Sequence, residues 1–104
     1  MILTTTDTIP GREIRDTIGL VRGSAVRAAH IGQDVMAKLK NLVGGELSEY
    51  TKLLAEAREQ ALDRMQAEAR ARGADAVVAV RFASSEVDDG AAEVLVYGTA
   101  VRLG

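Results

Sequence analysis

The stretch that most constrains the fold is Ala69-Arg70-Ala71-Arg72-Gly73-Ala74-Asp75-Ala76-Val77-Val78. A long helical pattern stops there at a glycine, the residue that most readily takes the left-handed conformation that ends helices. A strand begins almost at once, over Ala76 to Ser85, and it is apolar on both sides. Alternation places Val78, Val80 and Phe82 on one side, with Val77 and Ala79 on the other. A strand half exposed to water should instead alternate apolar with polar residues. One helix covers one face of a sheet, so the second face calls for a second partner.

The helix that ends at Gly73 reads from about Glu46 to Arg72. Leu47, Tyr50, Leu54, Ala57, Ala61 and Met65 form its apolar stripe, widened by Leu53 and Leu62. Glu46 and Glu49 near its start and Arg70 and Arg72 near its end complement the helix dipole. Glu68 and Arg72 are spaced as a helical ion pair. Before it, Ile31, Val35, Leu39 and Leu42 mark one stripe of a short helix, stopped by Gly44-Gly45.

The remaining segments read as strands. Ile2 to Thr6 is short and β-prone. Pro10-Gly11 suits a type II turn, and Glu13 to Arg27 reads as a longer strand broken by Gly19 and Gly23, which mark a bulge or a close backbone approach. These two segments are expected to form a hairpin. Asp88-Asp89-Gly90 supplies the turn of a second hairpin, whose last strand runs from Ala92 to Leu103. There Val94, Val96 and Ala100 face one way, and Leu95, Tyr97, Val101 and Leu103 the other. The fold class is α+β: an antiparallel sheet of about four strands wrapped on one long helix plus a short one. Leaving four such side chains in water forgoes several kcal/mol at about 25 cal/mol per Å². Self-assembly is therefore expected, unless the short helix or the N-terminal hairpin covers the second face.

Composition narrows the function. The 104 residues suit one domain, spanning 1–104. Thirteen basic and fifteen acidic residues give a formal charge of -2, against a nucleic-acid partner. Without cysteine there are no disulfides, thiolate metal sites or thiol catalysis. Met1 to Thr6 does not read as a signal peptide, and no apolar run approaches the ~20 residues of a membrane helix. A cytoplasmic protein without a membrane partner is expected.

Gly44-Gly45, then Tyr50, Leu53, Ala57-Arg58, Ala61, Met65 and Ala69, then Gly73-Ala74-Asp75-Ala76-Val77-Val78, and finally Gly98-Thr99-Ala100-Val101 form an ordered set. With Thr4-Thr5, Gly19 and Gly23, this set resembles the YbjQ-like family over essentially the whole chain. Those are small bacterial proteins described as heavy-metal-binding domains. The resemblance implies a dodecin-like fold, with a sheet wrapped on a long helix, and ring-shaped homopentamers. It brings no catalytic residues, and none are evident: the protein is expected not to be an enzyme.

The candidate sites are few. His30, the only histidine, and Asp34, four residues later, could share a helix face and hold a divalent metal such as zinc, nickel or copper. A family member carries asparagine where this chain has His30, and the plainer reading is a helix residue with no ligand. Glu86, Asp88 and Asp89 read as a solvated turn. Gly19 to Gly23 lacks the lysine and the strand-to-helix setting of a phosphate loop. Tyr50 and Arg58, eight residues apart on one helix, could line a ligand cavity or fasten a subunit interface, with Asp75 as a partner for the guanidinium. Flavin storage, by dodecin analogy, ranks below metal binding, because Phe82, Tyr50 and Tyr97 are the only aromatics. The leading function is metal or small-ligand binding by a homo-oligomer. The alternative is a structural or protein-interaction module.

Overall fold

A computed structural model describes residues 1–28, 48–88 and 91–104. The elements within them are β1 (Ile2–Leu3), β2 (Ile14–Ala28), α1 (Ser48–Ala71), β3 (Ala76–Asp88) and β4 (Ala91–Leu103). The short helix expected around Ile31 to Leu42, with His30, Asp34 and Gly44-Gly45, lies outside the described residues. So do Asp89 and Gly90 of the predicted turn.

The strands form one α+β sheet in the order β1-β3-β4-β2. Strand β4 is antiparallel to both β2 and β3, whereas β1 runs parallel to β3, pairing Ile2 with Ala76 and Leu3 with Val77. The sheet is thus mixed rather than wholly antiparallel, and β1 and β2 do not form the expected hairpin. Length accounts for this. Strand β2 pairs with β4 from Ile14 against Leu103 to Ala28 against Ala91, which leaves the short β1 free to extend the opposite edge. The turn between them is as read: Gly11 has φ +78°, and the Arg12 N–H donates to the Ile9 carbonyl at 3.1 Å.

Helix α1 packs on β2 and β4. Ala57, Ala61, Met65 and Ala69 are fully buried against Val21, Ala25, Val77, Val80, Val94, Val96 and Ala100. Three alanines on one stripe let the helix axis come close to the sheet. At Gly23 the approach is closest, because an added Cβ would lie 2.1 Å from the Ala61 carbonyl oxygen. The helix ends at Gly73, φ +78°, where the Gly73 N–H donates to Arg70 O and the Ala74 N–H to Ala69 O, both at 3.0 Å. This is the Schellman pattern, which satisfies carbonyls that the helix leaves open.

Irregularities decide which face each strand residue meets. Register shifts fall between Thr17 and Gly19 in β2 and between Val78 and Arg81 in β3. In β3 the shift centres on Ala79, at φ +53°. The extra residue breaks the two-residue alternation, so Val78 and Val80 lie on opposite faces, contrary to the simple pattern. Val77 and Val80 join the helix-side core, while Ala76 and Val78 cluster with Val101 and Leu103 on the outer face. Strand β4 alternates as predicted. Ile9 and Ile14 pack on the outer cluster, so the N-terminal segment covers one end of the second face. Beyond that end Leu20 is 61%, Val26 56% and Tyr97 38% exposed.

Candidate functional site

The elements bring the predicted residues to different places. Tyr50 lies in the first turn of α1 and Arg58 further along it. The Arg58 side chain is exposed. Asp75 sits past the helix end, where its Oδ2 accepts the Leu103 N–H at 2.9 Å and its own N–H donates to Val101 O at 2.9 Å. Ala71 lies thirteen helical steps beyond Arg58, about 20 Å of rise, so Arg58 and Asp75 are not partners within one chain. Asp75 instead ties the helix–strand junction to β4.

The edge of β2 is occupied by helix side chains that the sequence pattern presents as a solvated charged face. Arg72 Nη1 donates to Leu20 O at 2.8 Å and Nη2 to Ile18 O at 3.2 Å. Glu68 Oε2 accepts the Arg22 N–H at 3.3 Å, and Arg64 Nη1 donates to Ser24 O. The predicted Glu68–Arg72 pair is therefore divided between two backbone partners. Arg102 adds a tie at the other side of the helix end, its Nε donating to Gly73 O at 3.1 Å. The signal for this arrangement was the four-residue spacing of 64, 68 and 72 beside a strand that carries Gly23.

Two surfaces remain as candidates. One is an open groove of about 570 Å³ along α1, lined by Lys52, Ala55, Glu56, Glu59, Gln60 and Asp63, with Arg27 of β2. Arg27 Nη1 lies 3.9 Å from Glu56 Oε2, and its buried Nε has no hydrogen-bond partner among the described residues. Oxygen donors of this kind suit hard cations better than soft ones. No group of three His, Cys, Asp or Glu side chains among the described residues is placed to hold an ion.

The other surface is the outer face of the sheet. Arg22 of β2, Tyr97 of β4 and Arg81 of β3 form one cross-strand row. Leu20, Val26 and Leu95 share that face by register. Arg81 is turned toward the N-terminal segment, its Nη1 donating to Thr5 O and Val80 O, both at 2.9 Å. The face can pack against another apolar surface, with Arg22 available for an acidic group. No described helix is long and apolar enough to cross a membrane.

Comparison with known proteins agrees with the fold. A YbjQ family model described as "Putative heavy-metal-binding" matches residues 1–104. The UPF0145 protein of Methanosarcina acetivorans is 57% identical, covering 99% of this chain and 97% of that one. Those of Archaeoglobus fulgidus and Shewanella frigidimarina are 57% and 51% identical, covering 99% and 100% of this chain and 95% and 97% of theirs. The relatives thus extend from bacteria to archaea. A crystal structure from Pediococcus pentosaceus, of a protein of unknown function in the DUF74 family, superposes with TM-score 0.62 at 17% identity, covering 100% of this chain and 98% of that one. That likeness bears on the fold alone. The match over the full length and the identity to these relatives establish that the chain belongs to the YbjQ (UPF0145) family.

Proposed function

We propose that the protein is a non-catalytic, cytoplasmic, single-domain binding protein that works as a homo-oligomer, with a metal ion or small ligand held by the assembled ring. The observation that carries assembly is the outer face of the sheet. Leu20 and Val26 are more than half exposed there, in a chain whose other sheet face is packed on α1. Large apolar side chains left exposed on one face of a small domain's sheet favour an interaction surface. Five subunits is the number that the YbjQ-like resemblance implies. The family description supports metal binding, and His30 with Asp34, contributed by each subunit, is the donor set proposed for zinc, nickel or copper. Tyr50, Arg58 and Asp75 are proposed at the ligand or subunit interface, where Arg58, exposed in one chain, would find an acidic partner in another.

Elemental analysis of the purified protein, followed by titration with zinc, nickel and copper, tests this. A metal bound more tightly than about millimolar in wild type, and weakened in His30→Ala, is expected. The second reading is a structural or protein-interaction module. It is favoured by the exposed apolar face together with the lack of a converging donor set among the described residues. Absence of metal binding with retention of the oligomer would select it.

A further inference from the structure

The irregularity at Ala79 faces the N-terminal segment, and the two fit each other. Val78 pairs with Thr99 and Arg81 with Tyr97, so Ala79 and Val80 together stand opposite Gly98. In a regular strand successive N–H groups point to opposite sides. Here two successive ones point the same way. Ala79 N–H donates to Thr6 O at 2.8 Å and Val80 N–H to Thr4 O at 3.0 Å. Thr4 N–H donates in return to Val77 O at 3.0 Å, and Arg81 Nη1 to Thr5 O at 2.9 Å. A strand without the bulge would turn one of those two amides toward β4. The N-terminal segment therefore recognises the bulged form.

The bulge is held against local preference. Ala79 has φ +53°, a conformation that a residue with a Cβ disfavours. On the ladder side Val77 and Val80 converge over Gly98, where an added Cβ would lie 2.7 Å from Val77 Cγ1 and 3.3 Å from Val80 Cγ2. An alternative register exists. Sliding residues 80–86 by one against β4 puts Ala79 opposite Gly98, Val80 opposite Tyr97 and Phe82 opposite Leu95. The displaced residue is taken up at the second irregularity, between Glu86 and Asp88. Ala79 regains extended backbone, and Val78, Val80 and Phe82 share the outer face, as simple alternation has them. Val80 gives up its place in the helix-side core. Arg81 takes the side now held by Phe82, which is only half-buried there, so its guanidinium stays at the surface. One register loses the burial of one valine and the other carries a positive φ without glycine. The contacts of the N-terminal segment decide between them.

We propose that the N-terminal segment is a register switch for β3. While Thr4 and Thr6 hold the amides of Val80 and Ala79, the strand is bulged. When the segment leaves, residues 80–86 slip by one and exchange faces, which carries Val80 and Phe82 to the outer side of the sheet. The device acts within one chain and does not depend on assembly. A segment that binds one of two forms shifts the population toward that form by its difference in affinity for them.

Nuclear magnetic resonance on the full chain tests this, because the registers place different backbone protons opposite Tyr97. Those of Arg81 lie there in the bulged form, and those of Val80 in the slipped one. Wild type should show the Arg81 contact. Ala79→Gly should keep it and raise Tm by about 5 °C, since glycine takes positive φ without strain; a fall in Tm would overturn the proposal. Leu3 packs on the helix-side core, so Leu3→Asp unseats the segment and should show the Val80 contact. A folded Leu3→Asp that keeps the Arg81 contact would overturn the switch. If circular dichroism shows this variant to be unfolded, Ala79→Val decides. Valine does not take φ +53°, so β3 should slip, and the Thr4 amide should exchange with solvent at least about tenfold faster than in wild type. Retention of the Arg81 contact, or a slipped strand with the Thr4 amide still protected, would overturn the proposal. So would unfolding of both variants, which would leave the bulged register as the only one that folds.

Discussion

Gly23 lies so close beneath Ala61 that a Cβ on it would stand 2.1 Å from the Ala61 carbonyl oxygen and 2.5 Å from the Met65 nitrogen. Both neighbours are helix backbone, which cannot rotate aside as a side chain can. Gly23→Ala must therefore push α1 off the sheet. The expected cost is about 3 kcal/mol or more, read as a fall of at least about 10 °C in Tm for a chain of this size.

Met65 is the largest fully buried side chain among the described residues. It sits between alanines that cannot collapse into the space it fills. Met65→Ala is expected to cost about 2–5 kcal/mol. Urea unfolding should show the loss in the midpoint, with little change in slope.

Arg72 reaches two carbonyls, of Leu20 and Ile18, with the two arms of one guanidinium. A lysine ammonium is a single point and cannot span both. Arg72→Lys is expected to cost about 1 kcal/mol. The same exchange at the exposed Arg12 should fall within about 0.5 kcal/mol. Equal losses at the two positions, measured by chemical unfolding, would contradict the bridging role.

Asp75 offers a sharper pair of substitutions. Asparagine keeps an oxygen for the Leu103 amide, whereas alanine leaves that N–H unpaired. Asp75→Ala should cost about 1–2 kcal/mol and speed hydrogen exchange at Leu103. Asp75→Asn should recover most of the loss. Identical behaviour of the two variants would show that the contact is dispensable.

Much of the framework was legible because it rests on local chemistry. Gly73 announced the helix end, Pro10-Gly11 the first turn, and the alternation in β4 its two faces. Gly19 and Gly23 were legible as a pair whose two roles, bulge and close approach, the structure divides between them. The parallel pairing of β1 was not legible, because a two-residue strand carries no pattern that names its neighbour. Nor was the irregularity at Ala79, since alanine is not a residue that advertises a positive φ. Simple alternation therefore puts Val78 and Val80 on one face. Arg64, Glu68 and Arg72 looked like surface charge because their partners are backbone groups some 40 to 50 residues away. Of the site residues, Asp75 is placed as a structural tie, while His30 and Asp34 fall outside the described residues.

The three rungs that close the β2 edge advance by four residues on α1 for every two on β2, in opposite chain directions. Four helical residues rise about 6.0 Å, and two strand residues about 6.7 Å. The two scales form a vernier that slips by about 0.7 Å per rung. Side chains as long as arginine and glutamate absorb that slip for a few steps and then lose register. A helix can thus stand in for a missing strand only over a bounded length. In this chain the rungs that keep step end at Ser24, and over the last four residues of β2, to Ala28, the contact with α1 passes to the Arg27–Glu56 ion pair.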